Sequence, residues 1–597
     1  MYLRILILVM ALSLPWPLMA LDSVALRLDG AAEDSTLEAE IRAASVLLSS
    51  DATAPEDILA QAQGDYTRIV EALYANGHYS PVVNIRLDGR EAAGFDPFAL
   101  PRVIRSALIL VDPGPRFTFG TARITPRAPG SERTDGFSRN APARADVVRD
   151  AVAAAISDWR QAGHAKAQVA DQSVVARHDA AKLDVTVGLD PGPRLRFGQV
   201  VVTSDSGVRD ARIRQIAGIP RGETFDPDTV EKAATRLRRT GTFRSVTLTE
   251  TDRIDAAGEM EMDIAVVDQK IRRIGGGAEL SSLDGLTLSA YWLHRNLFGG
   301  AERLRIETEI AQITGTAEET DFRLSFGFEK PAVYGPDTDF TGELEFAYLD
   351  EPDFVERRAG LSFGVSREFS DDLTGEIGIG LAYSEITDQF LDGGNRHREM
   401  ILMTLPTALT FDRRDSALDA TSGFYLRAEA TPFFETVRSD PGARFTLDAR
   451  AYRALDEEAR MVLAGRLQLG SLVGPEAQHA PPGYLFYSGG GGTVRGQPYN
   501  ALDADYGNMQ LGGRSFAGLS GEMRFGVTDT IGIVAFADAG AVATGSFGDG
   551  DSAWHGGGGL GLRYKTPVGP IRLDIAAPLT DNTADGVQFY IGIGQAF

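Results

Sequence analysis

From residue 271 to residue 597 the chain alternates, with almost no helical period. Leu286-Thr-Leu-Ser-Ala-Tyr-Trp-Leu293, Leu324-Ser-Phe-Gly-Phe328 and Ile377-Gly-Ile-Gly-Leu381 each set apolar residues against small or polar ones at every second position. A period of two belongs to a strand, whose successive side chains point to opposite faces. Turn residues separate the segments: Asp284-Gly285, Gly335-Pro-Asp337, Asp371-Asp372 and Val568-Gly-Pro570. Strands are expected near 272–282, 286–296, 302–314, 319–330, 338–350, 355–369, 373–387, 398–411, 422–436, 443–455, 459–472, 516–527, 530–540, 554–566, 568–578 and 586–597. That is sixteen, an even number of the kind found in bacterial membrane barrels. In the last segment Phe589, Ile591, Ile593 and Phe597 share a face broken only by Gln595, while Tyr590, Gly592, Gly594 and Ala596 share the other. The first face suits lipid and the second a lumen.

A membrane-spanning helix needs about 20 apolar residues in a row. The one long apolar run, Ile5 to Leu14, is too short and is followed by Pro15 and Pro17. With Arg4 ahead of it and Leu18-Met19-Ala20 behind, residues 1–20 read as a secretory signal. The mean hydropathy of −0.12 fits a barrel, because only alternate residues meet lipid. Composition alone favours an acidic secreted protein over a barrel; the alternation decides for the barrel. The net charge of −24 excludes nonspecific nucleic-acid binding, which needs a cationic footprint. The absence of cysteine excludes a disulfide framework and a cysteine-based zinc site, and suits an oxidising compartment.

The 597 residues exceed what one core can organise. Residues 21–270 mix helix and strand signals and contain a repeat. Asp112-Pro-Gly-Pro-Arg-Phe-Thr-Phe-Gly120 recurs 78 positions later as Asp190-Pro-Gly-Pro-Arg-Leu-Arg-Phe-Gly198. Gly163 in Trp159-Arg-Gln-Ala-Gly163 recurs at the same offset as Gly241 in Leu237-Arg-Arg-Thr-Gly241. A looser copy is Leu73-Tyr-Ala-Asn-Gly77-His-Tyr79. Each unit reads β-α-α-β-β: a strand such as 197–203, a helix, a second helix such as 227–240, and two strands such as 245–249 and 261–267. Gly241 caps the second helix in a left-handed conformation. The repeats are bounded at 21–113, 114–191 and 192–270, and their Pro-Gly-Pro joints predict a semi-rigid arm.

Between two groups of strands lies a long segment, 473–515, with the run Gly489 to Gly492 and then Val494-Arg-Gly-Gln-Pro-Tyr499. An arginine in a glycine-rich loop gains meaning from two downstream carboxylates. These are Glu522 in Gly521-Glu-Met-Arg-Phe525 and Asp538 in Ala535-Phe-Ala-Asp-Ala-Gly540. Both lie in strand-like segments, where a guanidinium fork reaching inward can bond bidentately. Glu522 shares a face with Ser520 and Arg524, while Leu519, Met523 and Phe525 take the other. Asp538 shares parity with Val534 and Phe536, so alternation leaves its face open; the cost of a carboxylate in lipid favours the lumen. The competing reading is an exposed Arg495 in surface pairs worth ~0–1 kcal/mol. The first strand, Arg272-Arg-Ile-Gly-Gly-Gly277, is weakened by Gly275, Gly276 and Gly277. Closure against the last strand, at Gly592, Gly594 and Phe597, predicts a weak seam there. The competing reading is a bend in an ordinary closed barrel.

Further segments carry a family likeness. They are Leu293-His-Arg-Asn-Leu-Phe-Gly-Gly300, Phe411-Asp-Arg-Arg-Asp-Ser416 leading into Ser422-Gly423, Tyr564-Lys-Thr-Pro-Val-Gly-Pro570, Leu573-Asp-Ile-Ala-Ala-Pro-Leu579 and the terminal Phe597. With Val494-Arg-Gly496 they resemble the BamA/TamA superfamily of outer-membrane assembly factors over nearly all of the mature chain. The repeats resemble POTRA domains, modules of periplasmic polypeptide transport. The resemblance implies three α+β POTRA domains followed by a 16-stranded antiparallel transmembrane β-barrel over 271–597, with the loop 473–515 in its lumen. It implies that Arg495, with Gly496, latches onto Asp538 and Glu522. It implies a seam that opens to offer a strand edge to a client by β-augmentation. Three repeats point to the TamA branch, since BamA-like members usually carry five and two-partner secretion transporters two. The partners implied are an elongated, inner-membrane-anchored TamB-like protein on the POTRA arm, client outer-membrane proteins such as autotransporters, and outer-membrane lipid. The implied location is the outer membrane, with the POTRA domains in the periplasm. Gln497 departs from the pattern, where an aromatic often follows Arg-Gly; Tyr499 is the candidate replacement.

No G-x-S-x-G, P-loop or H-E-x-x-H motif occurs. Gly556, Gly558 and Gly561 match G-x-G-x-x-G formally but lie in a strand segment without a βαβ unit, and the seven histidines are scattered. No enzyme, cofactor or metal is expected. A secretion pore for one dedicated exoprotein is the alternative, against which three repeats count. A passive porin leaves the repeats and the long loop without purpose.

Overall fold

The structure is a computed structural model that describes residues 21, 23–29, 35–50, 52–96, 99–281, 285–313, 320–351, 353–507, 509–566, 569–580, 586–593 and 595. The expected secretory segment 1–20, Gly594 and Phe597 lie outside the described residues. The chain divides into two compact units. One is Met1–Gln199 with Pro220–Thr229 and Glu250–Glu261; the other is Val200–Ile219, Val230–Thr249 and Met262–Phe597.

The first repeat runs β1 (Ser23–Leu28), α1 (Ser35–Ala44), α2 (Pro55–Ala75), β2 (Val82–Leu87), β3 (Arg90–Glu91) and β4 (Ser106–Asp112). Its sheet order is β1-β4-β2-β3, with β1 parallel and β2 antiparallel to β4. Pro55 suits the first turn of α2, where its missing N–H has no intrahelical partner to lose. Ile41, Ile58, Ile69 and Leu73 from the helices pack on Ile85, Ile109 and Val111 from the sheet. Asp65, fully buried on α2, accepts the Ser45 hydroxyl at 2.6 Å and the amides of Val46 and Leu47 at 3.1 and 3.0 Å. A buried carboxylate satisfied in this way ties the end of α1 to α2.

The second repeat runs β5 (Thr118–Thr125), α3 (Ala145–Gln161), β6 (Gln168–Arg177) and β7 (Lys182–Asp190), in sheet order β5-β7-β6. The expected helix pair is one helix here. Pro126, Pro129, Gly130, Gly136 and Pro142 punctuate the stretch where a first helix was expected. Buried Ala128, Phe137 and Ala143 fill its place instead, with Phe137 edge-on to Phe119 at 5.3 Å. The third repeat is β8 (Arg196–Val202), α4 (Asp210–Ala217), α5 (Pro227–Arg239), β9 (Phe243–Ile254) and β10 (Glu259–Asp268), in order β8-β10-β9.

The repeated motifs encode a repeated joint. Gly77, Gly163 and Gly241 follow the long helices with φ of 85°, 98° and 63°. The amide of Phe117 donates to the Gly77 carbonyl at 2.8 Å, and that of Leu195 to the Gly163 carbonyl at 2.9 Å. His78 Nδ1 meets the Gly114 carbonyl at 3.1 Å, as His164 Nδ1 meets that of Gly192 at 2.9 Å. Asp112 and Asp190 each accept the amide of the glycine two residues on, at 2.9 and 3.0 Å. Gly163→Ala should therefore cost about 1–2 kcal/mol for left-handed backbone alone. A Cβ there also falls 2.6 Å from Thr224 Cγ2. The expected result is a lower denaturation midpoint of a fragment of residues 21–268, read through Trp159 fluorescence. An unchanged midpoint refutes the joint.

The second unit is built on one antiparallel sheet. Its strands are β11 (Arg272–Ser281), β12 (Gly285–His294), β13 (Arg303–Ile313), β14 (Asp321–Lys330), β15 (Thr338–Glu351) and β16 (Phe354–Glu368). They continue as β17 (Leu373–Gln389), β18 (Asn395–Thr404), β19 (Thr407–Asp412), β20 (Gly423–Glu435), β21 (Asp440–Ala454) and β22 (Met461–Val473). After a loop holding the short ribbon β23 (Ala504–Asp505) and β24 (Gln510–Leu511) come the last five. These are β25 (Ser515–Gly526), β26 (Ile531–Ala543), β27 (Ser552–Tyr564), β28 (Ile571–Pro578) and β29 (Gln588–Ile593). Neighbours in the sheet follow chain order. β18 and β19 both pair with β17 and β20. Only Leu405 and Pro406 separate them, and proline cannot donate to a ladder. The seventeen segments are therefore sixteen strands among the described residues.

Ile379, Leu409, Leu519 and Leu560 are exposed on the outer face, while Glu522, Asp538, Arg563 and Asp574 are buried on the inner one. No described helix is long and apolar enough to cross a membrane. Helices α4 and α5 share a core with two turns of the sheet: Ala301 and Ala332 pack among Ile213, Ile216, Leu237 and Phe243. Arg236 forks onto Asp337 at 2.6 and 2.7 Å. Burial raises the Asp337 carboxyl, and the Arg236 fork more than offsets it, holding the group below its ordinary value. This contact is therefore fully present at neutral pH and is lost as acid carries the pH down through that lowered value.

Candidate functional site

Residues 474–514 join β22 to β25 and pack on the inner face of the sheet. Leu485, Phe486, Leu502 and Leu511 of the loop share a core with Leu472, Phe516 and Val542 of the wall. That core fixes the loop tip, Thr493 to Pro498, against β25–β29.

Arg495 is 2% exposed. Its Nε and Nη2 fork onto the Asp538 carboxylate at 2.7 and 3.0 Å, and its own amide donates to the same group at 3.2 Å. Nη1 donates to Glu522 Oε1 at 2.6 Å and to Asp574 Oδ2 at 3.4 Å. The guanidinium lies 3.6 Å above the Phe536 ring. This answers the parity of Asp538: Val534 and Phe536 are buried on the inner face with it, and Phe536 is the arginine's platform. Arg524 donates to Glu522 at 2.9 Å, Arg563 pairs with Asp574, and Arg572 approaches Asp574 at 3.8 Å. Four guanidinium groups thus surround three carboxylates, and each carboxylate has at least one of them as a partner. Asp574 was not among the expected partners. The alternation of Ile571-Arg-Leu-Asp-Ile575 carried the signal, since the polar residues fall on the inner face.

The loop also grips the last strand. The Gly496 amide donates to the Tyr590 hydroxyl at 3.0 Å, and Gln588 donates to the Gly496 carbonyl at 2.9 Å. Gly496 has φ 92°, and a Cβ there falls 2.6 Å from the Ala577 carbonyl oxygen, so a side chain does not fit. Gln497, where an aromatic was the pattern, is fully buried and donates to the Gly556 carbonyl at 2.8 Å. Tyr499 is 48% exposed and does not take that place.

The ends of the sheet meet narrowly. β11 runs through ten register pairs with β12, and β29 through six with β28. Between β11 and β29 there are two, Leu280 with Ile591 and Ser281 with Tyr590, among the described residues. Gly275, Gly276 and Gly277 pair with Tyr291, Ala290 and Ser289 of β12 and have no described partner on β29. Gly592 pairs with Arg572 of β28. Gly594 and Phe597, the remaining expected partners across the seam, lie outside the described residues. Ile274 on this edge is 80% exposed.

A large antiparallel barrel-like sheet, an apolar outer face, a charged inner face and an arginine loop folded inside define an outer-membrane β-barrel carrying α+β repeats. Residues 296–597 match the Omp85 superfamily domain, and residues 195–267 match POTRA, described as a surface antigen variable number repeat. The first match spans half of the chain, and the chain belongs to the Omp85 superfamily. Its barrel is in the outer membrane and its POTRA region in the periplasm. It is 22% identical to the outer membrane protein assembly factor BamA of Neisseria meningitidis over 73% of this chain and 61% of that protein. It is 23% identical to BamA of Nitratidesulfovibrio vulgaris over 70% of this chain and 53% of that one. The chain thus spans less than two-thirds of the length of these relatives. BamA from Haemophilus ducreyi lacking POTRA domains 1–3 shares the fold, with TM-score 0.63 and 14% identity over 80% of this chain and 100% of that one. CdiB from Acinetobacter baumannii shares it with TM-score 0.50 and 13% identity, over 81% of this chain and 90% of that one.

Proposed function

We propose that the protein is an outer-membrane assembly factor of the TamA type, which inserts β-rich clients at the β11–β29 seam without chemical catalysis. The observation that carries this reading is, among the described residues, the two-pair junction beside a ten-pair one. A strand edge inside a bilayer leaves N–H and C=O groups without water, at several kcal/mol each. A client strand that adds to β11 satisfies those groups, which is the driving force of β-augmentation. On this reading three POTRA domains, 21–113, 114–191 and 192–270, reach into the periplasm from a 16-stranded barrel closed only by the seam. The arm meets an elongated TamB-like protein anchored in the inner membrane, and the clients include autotransporters. The test is reconstitution in liposomes with an unfolded barrel client, followed by the client's heat-modifiable migration. Accelerated client folding is expected; inserted protein that gives no acceleration sinks the reading.

The fold shared with CdiB favours one second reading, a pore for a single dedicated exoprotein. Mass spectrometry of partners retained by the tagged protein separates the two. A TamB-like chain supports the first reading, and a large secreted adhesin the second.

A further inference from the structure

We propose that the turn between β19 and β20, residues 413–422, is a gate across the periplasmic mouth of the barrel. It is pinned by Arg524 and tied through Gln595 to the end of the last strand. The turn reaches from its own hairpin to the far side. Ala420 is 4% exposed in a cluster with Tyr452 of β21 and Ala464 of β22. Its carbonyl accepts Arg524 Nη1 from β25 at 3.2 Å. Asp419 Oδ1 accepts Gln595 Nε2 at 2.8 Å, and Oδ2 lies 3.8 Å from Lys565 Nζ at the end of β27. β19 and β29 stand eight strands apart in a sheet of sixteen, so the Asp419–Gln595 bond crosses the opening and does not run along the rim.

The turn has a fixed shape. Asp415 accepts the amides of Thr421 and Ser422 at 3.0 and 3.2 Å and the Thr421 hydroxyl at 2.5 Å. Arg414 forks onto Asp412 at 2.9 and 2.8 Å. A rigid turn moves as a body when its far contacts break. Those contacts lead to the two parts that move if the seam opens. Arg524 holds Glu522, which holds Arg495 of the loop. Gln595 accepts Arg563 Nε at 2.8 Å, and Arg563 pairs with Asp574. By parity with Ile591, Gln595 belongs on the lipid face, where its amide is a misfit. Its bonds lie inside instead, beyond the end of β29. Drawing β29 away from the wall withdraws the donor from Asp419 and frees the turn, which opens the mouth to an extended polypeptide from the periplasm. The movement of β29 that frees the turn, and the identity of what passes, rest on the assembly reading; the contacts that hold the turn across the mouth do not.

The experiment is single-channel conductance of the full chain in planar bilayers, with insertion checked by heat-modifiable migration. Asp419→Ala and Gln595→Ala should each raise conductance several-fold, and the double variant by less than the product of the two, because both break the contact they share. Ala420→Cys with Ala464→Cys, bridged by a short thiol cross-linker in the Gln595→Ala background, should return conductance to the parent level. Parent-level conductance in both single variants, or a cross-link without effect, overturns the gate. Should Gln595→Ala fail to insert, the cross-linked pair in the otherwise native chain decides. Loss of spontaneous open events supports the gate, and their persistence overturns it. Conductance is independent of client folding, so failure here is distinct from failure of the liposome assay.

Discussion

Arg495→Ala should abolish client assembly in a protein that still reaches the membrane. The arginine is 2% exposed and serves three carboxylates. Removing one partner of a buried ion pair costs ~3–5 kcal/mol, because the other charge stays buried and unpaired. The consequence falls unequally on the three acids. Glu522 keeps Arg524 and Asp574 keeps Arg563. Asp538 has no second cation within ion-pair distance among the described residues. Asp538→Ala should therefore damage the latch more than Glu522→Ala does. The effects of Arg495→Ala and Asp538→Ala on denaturation midpoint should combine to less than their sum, by ~0.5–3 kcal/mol of coupling. Strict additivity removes the latch. Arg495→Lys keeps the charge but loses the fork and should fall between.

Cysteines at positions 280 and 591, oxidised, should stop client assembly, and reduction should restore it. These positions face one another in the register of β11 and β29. Directly paired antiparallel residues hold their Cβ atoms about 4.5–5.5 Å apart, near the span a disulfide needs. The chain has no native cysteine, so only the introduced pair reacts. The control is the same substitution at Leu344 and Leu361, paired in the middle of β15 and β16, which should leave assembly intact. Full assembly activity with the seam locked rules out lateral opening and favours a pore that passes its client axially.

The alternation of the second half was legible because each strand has one lipid face and one inner face, and the period records that directly. Thr404 and Thr407 lie in one expected strand, 398–411, which Pro406 divides into β18 and β19. Proline removes a ladder bond without changing the pattern around it, so the break left no trace in periodicity. The second repeat misled for the opposite reason. Its 78-residue offset implied a helix pair, while Pro126 through Pro142 carried residues that end helices. Arg495 and Asp538 were readable from their motifs, but the register that joins β11 to β29 was not. Such a pairing links segments some 300 residues apart, and its register is set by closure of the whole sheet. Gln595 stood out as an anomaly on an apolar face, and only the fold shows where its amide goes.

The shared core of α4, α5 and the turns bearing Ala301 and Ala332 bears on how such proteins can be recombined. A barrel cut away at residue 270 carries two small apolar turns that now face water, and an arm cut there carries a helix pair with a missing wall. The unit of exchange between relatives is therefore the third repeat together with the barrel. Chimeras joined ahead of Arg196 should inherit a complete core, whatever number of repeats precedes the junction.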